Sequence, residues 1–315
     1  MDRVFATAVL GLCLAGGAAS ADSFVKNLPL GEGHARPESI AKAWDGAYYV
    51  SVQNTPDAAA TDGEIVRLDV ETGAVAPFVA KGGALRNPRG LAFVGDFLVV
   101  TDTDTVWKID KAGNVTPLAT EFPVKPALLN DTAAAKDGAA VYVTDMGPAR
   151  TKMRDKAGAL WPTGSPEAAA LPLAARIWRI GLDGAVTEAV APNPALLVTN
   201  GVTQPEDGHL LAVDFFAGSV ADIDLASGKA EVVATGDFRG TDGIEQASDG
   251  TIFVTSADHG TVWRMDRDGA NLAKLYDLAP DPGTLTFADP ALDEAARLLY
   301  VPDALHGDIV VLRTR

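Results

Sequence analysis

The chain has 315 residues and a formal net charge of −16 at pH 7. Its length suffices for a large core, and its single cysteine, Cys13, excludes a fold held by intramolecular disulfides. The acidic balance argues against nucleic acids and anionic membrane surfaces as partners, because both are bound by clustered lysine and arginine.

The first 21 residues have the features of a cleavable signal peptide. Arg3 gives a positive start, residues 4–15 are almost continuously apolar, and Ala19-Ser20-Ala21 is a small-x-small cleavage site. No later stretch reaches the ~20 apolar residues that a membrane helix needs. We therefore expect cleavage after Ala21, a mature chain of residues 22–315 without membrane attachment, and a periplasmic or secreted location.

Short β-rich segments follow the signal and recur six times. In each unit an apolar strand follows a tight turn, often Asp-Gly, and a second β-rich strand comes after it. The second segments are residues 64–69, 105–110, 176–180, 219–224, 261–266 and 308–312. Units of ~40–45 residues that hold four strands are propeller blades. We expect an all-β, six-bladed β-propeller.

The last unit is one strand short, because the chain ends at Arg315, just after that unit's third strand. A lone strand is predicted at Phe24–Leu28, before the first unit. We expect this N-terminal strand to complete the last blade, which closes the ring and removes an open sheet edge.

A column of polar residues occupies the same place in successive units, seven residues before the aspartate of the tight turn. Its members are Glu38, Arg89, Asn130, Asn200 and Asp242, and Gly283 is expected at the sixth position. This position begins the inner strand of each blade. The phasing of the repeat therefore predicts that the column converges on one mouth of the central tunnel.

Four members of the column offer oxygen ligands: Glu38, Asn130, Asn200 and Asp242. Two carboxylates and two amides suit one hard divalent cation, Ca²⁺ first and Mg²⁺ or Mn²⁺ next. The absence of cysteine and histidine from the column makes Zn²⁺ less favoured. The alternative is that each residue caps a turn, as Asn and Asp often do, and their shared register favours the metal.

The order and spacing of four short motifs resemble the senescence marker protein (regucalcin)/gluconolactonase/LRE-like superfamily of six-bladed propellers. The motifs are Pro37-Glu38 with Trp44 downstream, Asn130-Asp131 before Asp137-Gly138, Asn200-Gly201 before Asp207-Gly208, and Thr241-Asp242-Gly243. The resemblance implies a divalent cation held by Glu38, Asn200 and Asp242. It also implies that Asn130 is a further ligand or a substrate contact, and that Asp242 is the catalytic base in hydrolysis of lactones or related esters.

Two positions depart from the pattern of the sugar lactonases in that superfamily. Leu128 stands where they carry arginine two residues before the Asn-Asp pair, and Ser39-Ile40 replaces Gly-Pro after Glu38. We therefore expect a substrate less polar than an aldonolactone. Arg89 either replaces the missing charge as a substrate contact or pairs with Glu38.

An insertion, Met146–Ala175, interrupts the third unit between its second and third strands. It includes Arg150, Lys152, Met153, Arg154 and Trp161. Connections of this kind lie on the same face as the polar column, so we expect the insertion to cover the cation and Trp161 to contact the substrate.

Two functions remain after these observations. The first is an exported, cation-dependent hydrolase that acts as a monomer on a small-molecule lactone or ester. The alternative is a non-catalytic propeller that binds a ligand or a protein and holds a structural Ca²⁺, because the fold alone does not decide function. A nucleophilic serine or a zinc mechanism has no support, since no Gly-x-Ser-x-Gly or His-Glu-x-x-His motif is present.

Overall fold

The computed structural model describes residues 23–56, 59–281 and 284–315. In these residues the strands form six four-stranded antiparallel sheets, so the prediction of a six-bladed propeller is confirmed. The predicted signal peptide, residues 1–21, lies outside the described residues. No helix in the described part is long and apolar enough to cross a membrane.

Each blade consists of strands that neighbour each other in sequence. Blade one has β2 (Pro37–Lys42), β3 (Tyr48–Val52), β4 (Glu64–Leu68) and β5 (Val75–Val79). Blade two has β6 (Pro88–Val94), β7 (Phe97–Asp102), β8 (Thr105–Ile109) and β9 (Val115–Ala119). Blade three has β10 (Leu129–Ala134), β11 (Ala140–Asp145), β12 (Arg176–Gly181) and β13 (Val186–Val190). Blade four has β14 (Thr199–Glu206), β15 (His209–Asp214), β16 (Ser219–Asp224) and β17 (Lys229–Thr235). Blade five has β18 (Thr241–Gln246), β19 (Ile252–Ser256), β20 (Thr261–Met265) and β21 (Ala273–Asp277). Blade six has β22 (Ala291–Asp293), β23 (Leu298–Asp303), β24 (Asp308–Arg313) and, from the N-terminus, β1 (Phe24–Pro29).

The pairing of β1 with β24 confirms the predicted closure of the ring. The two strands are antiparallel, with Asn27 opposite Val310 and Leu28 opposite Ile309. Leu28 is buried in a cluster that includes residues of blades one and six. The first and last strands of the chain are therefore joined by both hydrogen bonds and apolar packing.

In four blades the second strand ends in an aspartate that holds neighbouring loops in place, on the face of the propeller where the polar column lies. Asp102, Asp145, Asp214 and Asp303 each accept hydrogen bonds from backbone N–H groups of neighbouring loops. These carboxylates are buried and satisfied by the backbone, so they serve the architecture.

The insertion Met146–Ala175 lies between β11 and β12 and contains a 3₁₀ turn (Pro148–Thr151) and one short helix, α1 (Pro166–Ala169). It packs on loops of blades three, four and five. The resulting insert cluster contains Leu128, Met146, Ala149, Met153, Ala168, Val198, Phe215, Phe216 and Ala257. Arg154 fixes the insertion further, because its guanidinium donates to both Asp258 oxygens, at 2.8 and 2.6 Å.

Candidate active site at the tunnel mouth

The five polar column residues are each the second residue of an inner strand, in β2, β6, β10, β14 and β18. Glycines follow three of them, and here the inner strands approach very closely. A Cβ atom on Gly243 would lie 2.2 Å from Pro290 Cδ, and one on Gly201 would lie 2.5 Å from the Asp242 carbonyl oxygen. This close approach requires glycine and brings the preceding side chains to one mouth of the tunnel.

The sixth column position is Ala288, and the prediction of Gly283, which itself lies outside the described residues, is corrected. Thr255 Oγ1 donates to the Ala288 carbonyl oxygen at 2.9 Å, just as Thr101 Oγ1 donates to that of Asn130. The next residue, Asp289, forms a parallel bridge with Ser39, which follows Glu38. The sixth column residue is therefore apolar and buried.

Glu38 has one paired and one unpaired carboxylate oxygen. Arg89 Nη1 donates to Glu38 Oε1 at 3.0 Å, whereas Glu38 Oε2 is buried without a hydrogen-bond partner. Burial raises the pKa of Glu38 to about 7, against the opposing effect of Arg89 and Arg36. Oε2 is thus held in place and available to a ligand.

The two asparagines come from blades three and four. Asn200 is 1% exposed, and its Oδ1 is buried without a partner. Asn130 Nδ2 donates to the sulfur of Met146 at 3.1 Å, which leaves its Oδ1 as the free end of the amide. Both residues therefore offer an amide oxygen at the mouth.

Asp242 is partly exposed, in contrast to Glu38 and the asparagines. Even so, the surrounding protein removes much of the water from its carboxylate, and this desolvation, followed by repulsion from Glu38, raises the pKa of Asp242 well above its usual range. Glu38 is thus close enough to disfavour the ionised form of Asp242.

The oxygen atoms of Glu38, Asn130, Asn200 and Asp242 suit a hard divalent cation, because some of them have no hydrogen-bond partner in the protein. An unpaired buried polar atom costs about 1–3 kcal/mol, and two such acceptors, Glu38 Oε2 and Asn200 Oδ1, lie at this one mouth. No group of three or more His, Cys, Asp or Glu side chains in the described ranges is arranged as a metal site, and this set contains only two carboxylates. Amide oxygens would have to complete the coordination, as they often do for Ca²⁺.

Two predicted substrate contacts have structural partners of their own. Arg89 pairs with Glu38, which was one of the two expected alternatives, and its Nη2 donates to Asn87 Oδ1 at 2.7 Å. Trp161 packs against the insert cluster, and its Nε1 donates to the Lys152 carbonyl oxygen at 3.1 Å. Contacts of Arg89, Asn130 or Trp161 with a substrate stay predictions.

Three further carboxylates line the tunnel beneath the column and were missed in the sequence: Asp131, Glu245 and Asp289. They line a cavity of about 520 Å³ that also borders blades one and two. Burial raises the pKa of Asp131 to about 7 and that of Glu245 to about 8. Asp131 directly follows Asn130, so counting one residue further in register could have found it. Asp289 follows Ala288 in blade six, where the count from the turn fails.

Two arginines at the mouth were also not recognised as site residues. Arg36 lies two residues before Glu38 and acts electrostatically on both Glu38 and Arg89. Arg150 lies in the 3₁₀ turn of the insertion and is repelled by Arg89. Both are in loops, where no repeat register is available to align them.

Comparisons with known proteins agree with this architecture. The profile of the SMP-30/gluconolactonase/LRE-like region matches residues 59–301. A gluconolactonase from Xanthomonas campestris is 18% identical, with 93% of this chain and 91% of that chain covered and a TM-score of 0.65. A streptogramin B lyase is 15% identical (92% and 98% covered, TM-score 0.60), as is a virginiamycin B lyase from Staphylococcus aureus (91% and 98% covered, TM-score 0.58).

Structures at these identities show the shared fold alone, and no curated protein sequence matches the chain. The family profile, however, extends over most of the chain, from blade one to blade six. The chain belongs to the SMP-30/gluconolactonase/LRE-like family.

Proposed function

We propose that this protein is an exported, divalent-cation-dependent hydrolase of lactones or related esters. Family membership supports this class of activity. The observation that carries the proposal is the pair of buried, unpartnered oxygens at one tunnel mouth, Glu38 Oε2 from blade one and Asn200 Oδ1 from blade four, beside the carboxylate of Asp242. Unsatisfied acceptors from separate blades indicate a cation that they share.

Glu38 would hold the cation through Oε2, together with Asn200 and Asp242, and Asn130 would be a further ligand or a substrate contact. Arg89 would keep Glu38 in place through its bond to Oε1. Because all of these ligand atoms are oxygens, the site would favour Ca²⁺ first, and Mg²⁺ or Mn²⁺ next. When bound, such a cation supplies Lewis acidity, which polarises a carbonyl group and stabilises the charge that develops on its oxygen.

Asp242 is the residue of the column suited to proton transfer, because it is the carboxylate that solvent reaches. In the proposed reaction a water oxygen bonds to the lactone carbonyl carbon while Asp242 accepts a proton from that water. The ring C–O bond then breaks, and the ring oxygen takes the proton from Asp242 to give the hydroxy acid. Every atom of the added water is thus found in the product.

A panel of neutral and anionic lactones and aryl esters tests the proposal, each assayed with EDTA, with Ca²⁺ and with Mn²⁺. We expect at least one lactone to be opened, with the rate abolished by EDTA and by Asp242→Asn. Asp96→Asn is the matched control, because Asp96 lies in an exposed turn. Calcium binding without hydrolysis of any member would favour the non-catalytic alternative.

Export rests on the N-terminal segment and is tested separately. Expression of the full chain in a bacterial host should give a periplasmic or secreted protein whose first residue, by mass spectrometry, is Asp22. A cytoplasmic protein that retains residues 1–21 would contradict export and would leave the proposed chemistry unaffected.

A further inference from the structure

Three arginines at the tunnel mouth have guanidinium groups that the protein leaves incompletely bonded. The Nε atoms of Arg36, Arg89 and Arg150 are buried and have no hydrogen-bond partner. In the part of the chain that the structure describes, no other arginine has a buried Nε without a partner. We call these three residues the arginine cluster.

The arginine cluster lies on one side of the mouth, because its members come from consecutive blades. Arg36 precedes β2 of blade one, Arg89 is in β6 of blade two, and Arg150 is in the insertion of blade three. Arg89 repels each of the other two, so Arg36 and Arg150 both lie within electrostatic range of Arg89. The unpaired oxygen of Asn200 and the carboxylate of Asp242 come from blades four and five, on the other side of the tunnel axis.

The positive charge of the cluster is only partly neutralised by the protein. Arg89 forms an ion pair with Glu38. The guanidinium groups of Arg36 and Arg150, in contrast, form no hydrogen bond or ion pair with any described residue. Carboxylates are abundant elsewhere in this acidic chain, and Arg154, Arg176, Arg179 and Arg267 are each paired with one. Three like charges held together with unused donors are unfavourable unless an anion binds them.

Arg36 has an unusual backbone conformation and lies beside an open cleft. Arg36 has φ = 61°, in the left-handed region that glycine and asparagine adopt more readily. Its side chain lines a cleft of about 720 Å³ between blades six and one, with His34, Leu285, Leu305 and His306 on the walls. Of the three arginines, Arg36 lines this cleft, so open space for the remainder of a ligand lies at its end of the cluster.

From Leu128 we expected a substrate less polar than an aldonolactone, whereas the arginine cluster favours a charged one. Leu128 is 7% exposed and packs in the insert cluster, beneath the insertion that carries Arg150. Leu128 therefore provides no positive charge at the position where the sugar lactonases carry arginine. Positive charge reaches the mouth instead through Arg89 of β6 and through Arg36 and Arg150, which lie in loops.

We propose that the arginine cluster binds an anionic group of the substrate, a carboxylate or a phosphate, so that the enzyme acts on lactones or esters that carry a negative charge. Guanidinium groups match both anions, since each presents a planar fork of N–H donors. The reacting carbonyl would lie towards Asp242, and the anionic group towards Arg36 and Arg150. This assignment of substrate class rests on the proposed hydrolase function.

Matched substrates test the proposal: a neutral γ-lactone, the same ring with a carboxylate substituent, and the same ring with a phosphorylated substituent. The parent should show a higher kcat/KM for one or both charged rings than for the neutral ring, and the two charged rings distinguish carboxylate from phosphate recognition. In the Arg36→Gln/Arg150→Gln variant this ratio of charged to neutral should fall at least tenfold. Arg150→Lys keeps the positive charge but loses the planar arrangement of N–H donors, so it should lower the ratio by a smaller factor.

Arg297→Gln is the matched control, because Arg297 is exposed on the turn between β22 and β23. Its ratio should equal that of the parent. An unchanged ratio in both the double variant and Arg150→Lys would overturn the proposal, provided that thermal melts show both to be folded. A ratio that favours the neutral ring in the parent would overturn it as well.

Calorimetry with inorganic phosphate and with succinate gives a readout that does not depend on catalysis. The parent should bind at least one anion, and the double variant should bind it at least tenfold more weakly. Anion binding through these arginines without opening of any lactone would count against the hydrolase function and support the anion site. Hydrolysis of neutral lactones, with no anion bound and no change in the ratio, would overturn the anion site and leave the hydrolase function standing.

Discussion

Arg89 Nη1 donates a 3.0 Å hydrogen bond to Glu38 Oε1, while Glu38 Oε2 on the same carboxylate has no partner. Arg89 therefore orients Glu38 without satisfying it. The same bond links two sets of residues, because Arg89 belongs to the arginine cluster and Glu38 to the candidate cation ligands. The first set has unused donors, and the second has unused acceptors.

Replacement of Glu38 by glutamine should weaken cation binding. The amide oxygen of the new side chain can still accept from Arg89, so the fold is expected to persist, but one of the two carboxylate charges of the column is lost. We expect Ca²⁺ affinity to fall at least tenfold, about 1.4 kcal/mol or more. Calorimetry measures this, with the exposed Glu71→Gln as control, and equal affinity in parent and Glu38→Gln would remove Glu38 from the site.

Truncation of Leu28 should destabilise the whole ring. Leu28 is buried between blades one and six, on the strand that completes the last blade. Leu28→Ala is expected to lower the free energy of unfolding by about 2–4 kcal/mol, with a fall of several degrees in Tm. The exposed Glu32→Ala is the control in thermal melts, and a Leu28→Ala variant that melts with the parent would show that closure contributes little.

Loss of Arg154 should loosen the insertion. Both guanidinium nitrogens bind Asp258, whose side chain is only 10% exposed, so Arg154→Ala leaves that carboxylate without its partner at a cost of about 1–3 kcal/mol. We expect faster proteolytic cleavage within Met146–Ala175 and a higher KM, since the insertion carries Arg150. Arg179→Ala breaks an exposed pair with Asp137 and should change neither. An insertion that stays resistant to protease in Arg154→Ala would show that the apolar insert cluster alone holds it.

Glu245 should make stability depend on pH in one direction. Burial, then repulsion from Asp131, raises its folded pKa from 4.5 to about 8. Between these values the unfolded chain has lost the proton and the folded protein has kept it, so stability present below pH 4.5 is lost as the pH rises towards 8, by at most about 1.4 kcal/mol per pH unit.

Glu245→Gln removes this titration and keeps an acceptor for the backbone N–H groups of Leu292 and Gln246. In EDTA, parent and variant should melt alike near pH 4.5, and the variant should be the more stable near pH 8.5. Parallel Tm profiles over this range would show that Glu245 is ionised in the folded protein at neutral pH.

The propeller and most of the column were predictable because both follow from a repeat. Tight turns fix where each blade begins, and counting back from them locates Glu38, Asn130, Asn200 and Asp242. The same count failed in blade six, where the turn runs through Asp293–Arg297 and the column residue is Ala288. Counting from a turn requires that every blade has the same turn length.

The arginine cluster could not be predicted in this way. Arg36 lies in a connection and Arg150 in an insertion, so neither has a register from which its position can be counted. Their significance also depends on which partners they lack, and the sequence does not show the partners of a side chain. Burial of Leu128 beneath the insertion is likewise a tertiary contact, which the residue type alone does not show.

A titration of Ca²⁺ into the metal-free protein, with heat and lactone hydrolysis followed in the same sample, tests whether hydrolysis requires the bound cation. We expect binding and rate to rise together and to saturate at about one Ca²⁺ per chain. Asp242→Asn should bind the cation more weakly and show no hydrolysis even when saturated. Full hydrolysis in the absence of bound cation, or saturation with Ca²⁺ that never produces hydrolysis, would show that this protein is not a cation-dependent hydrolase.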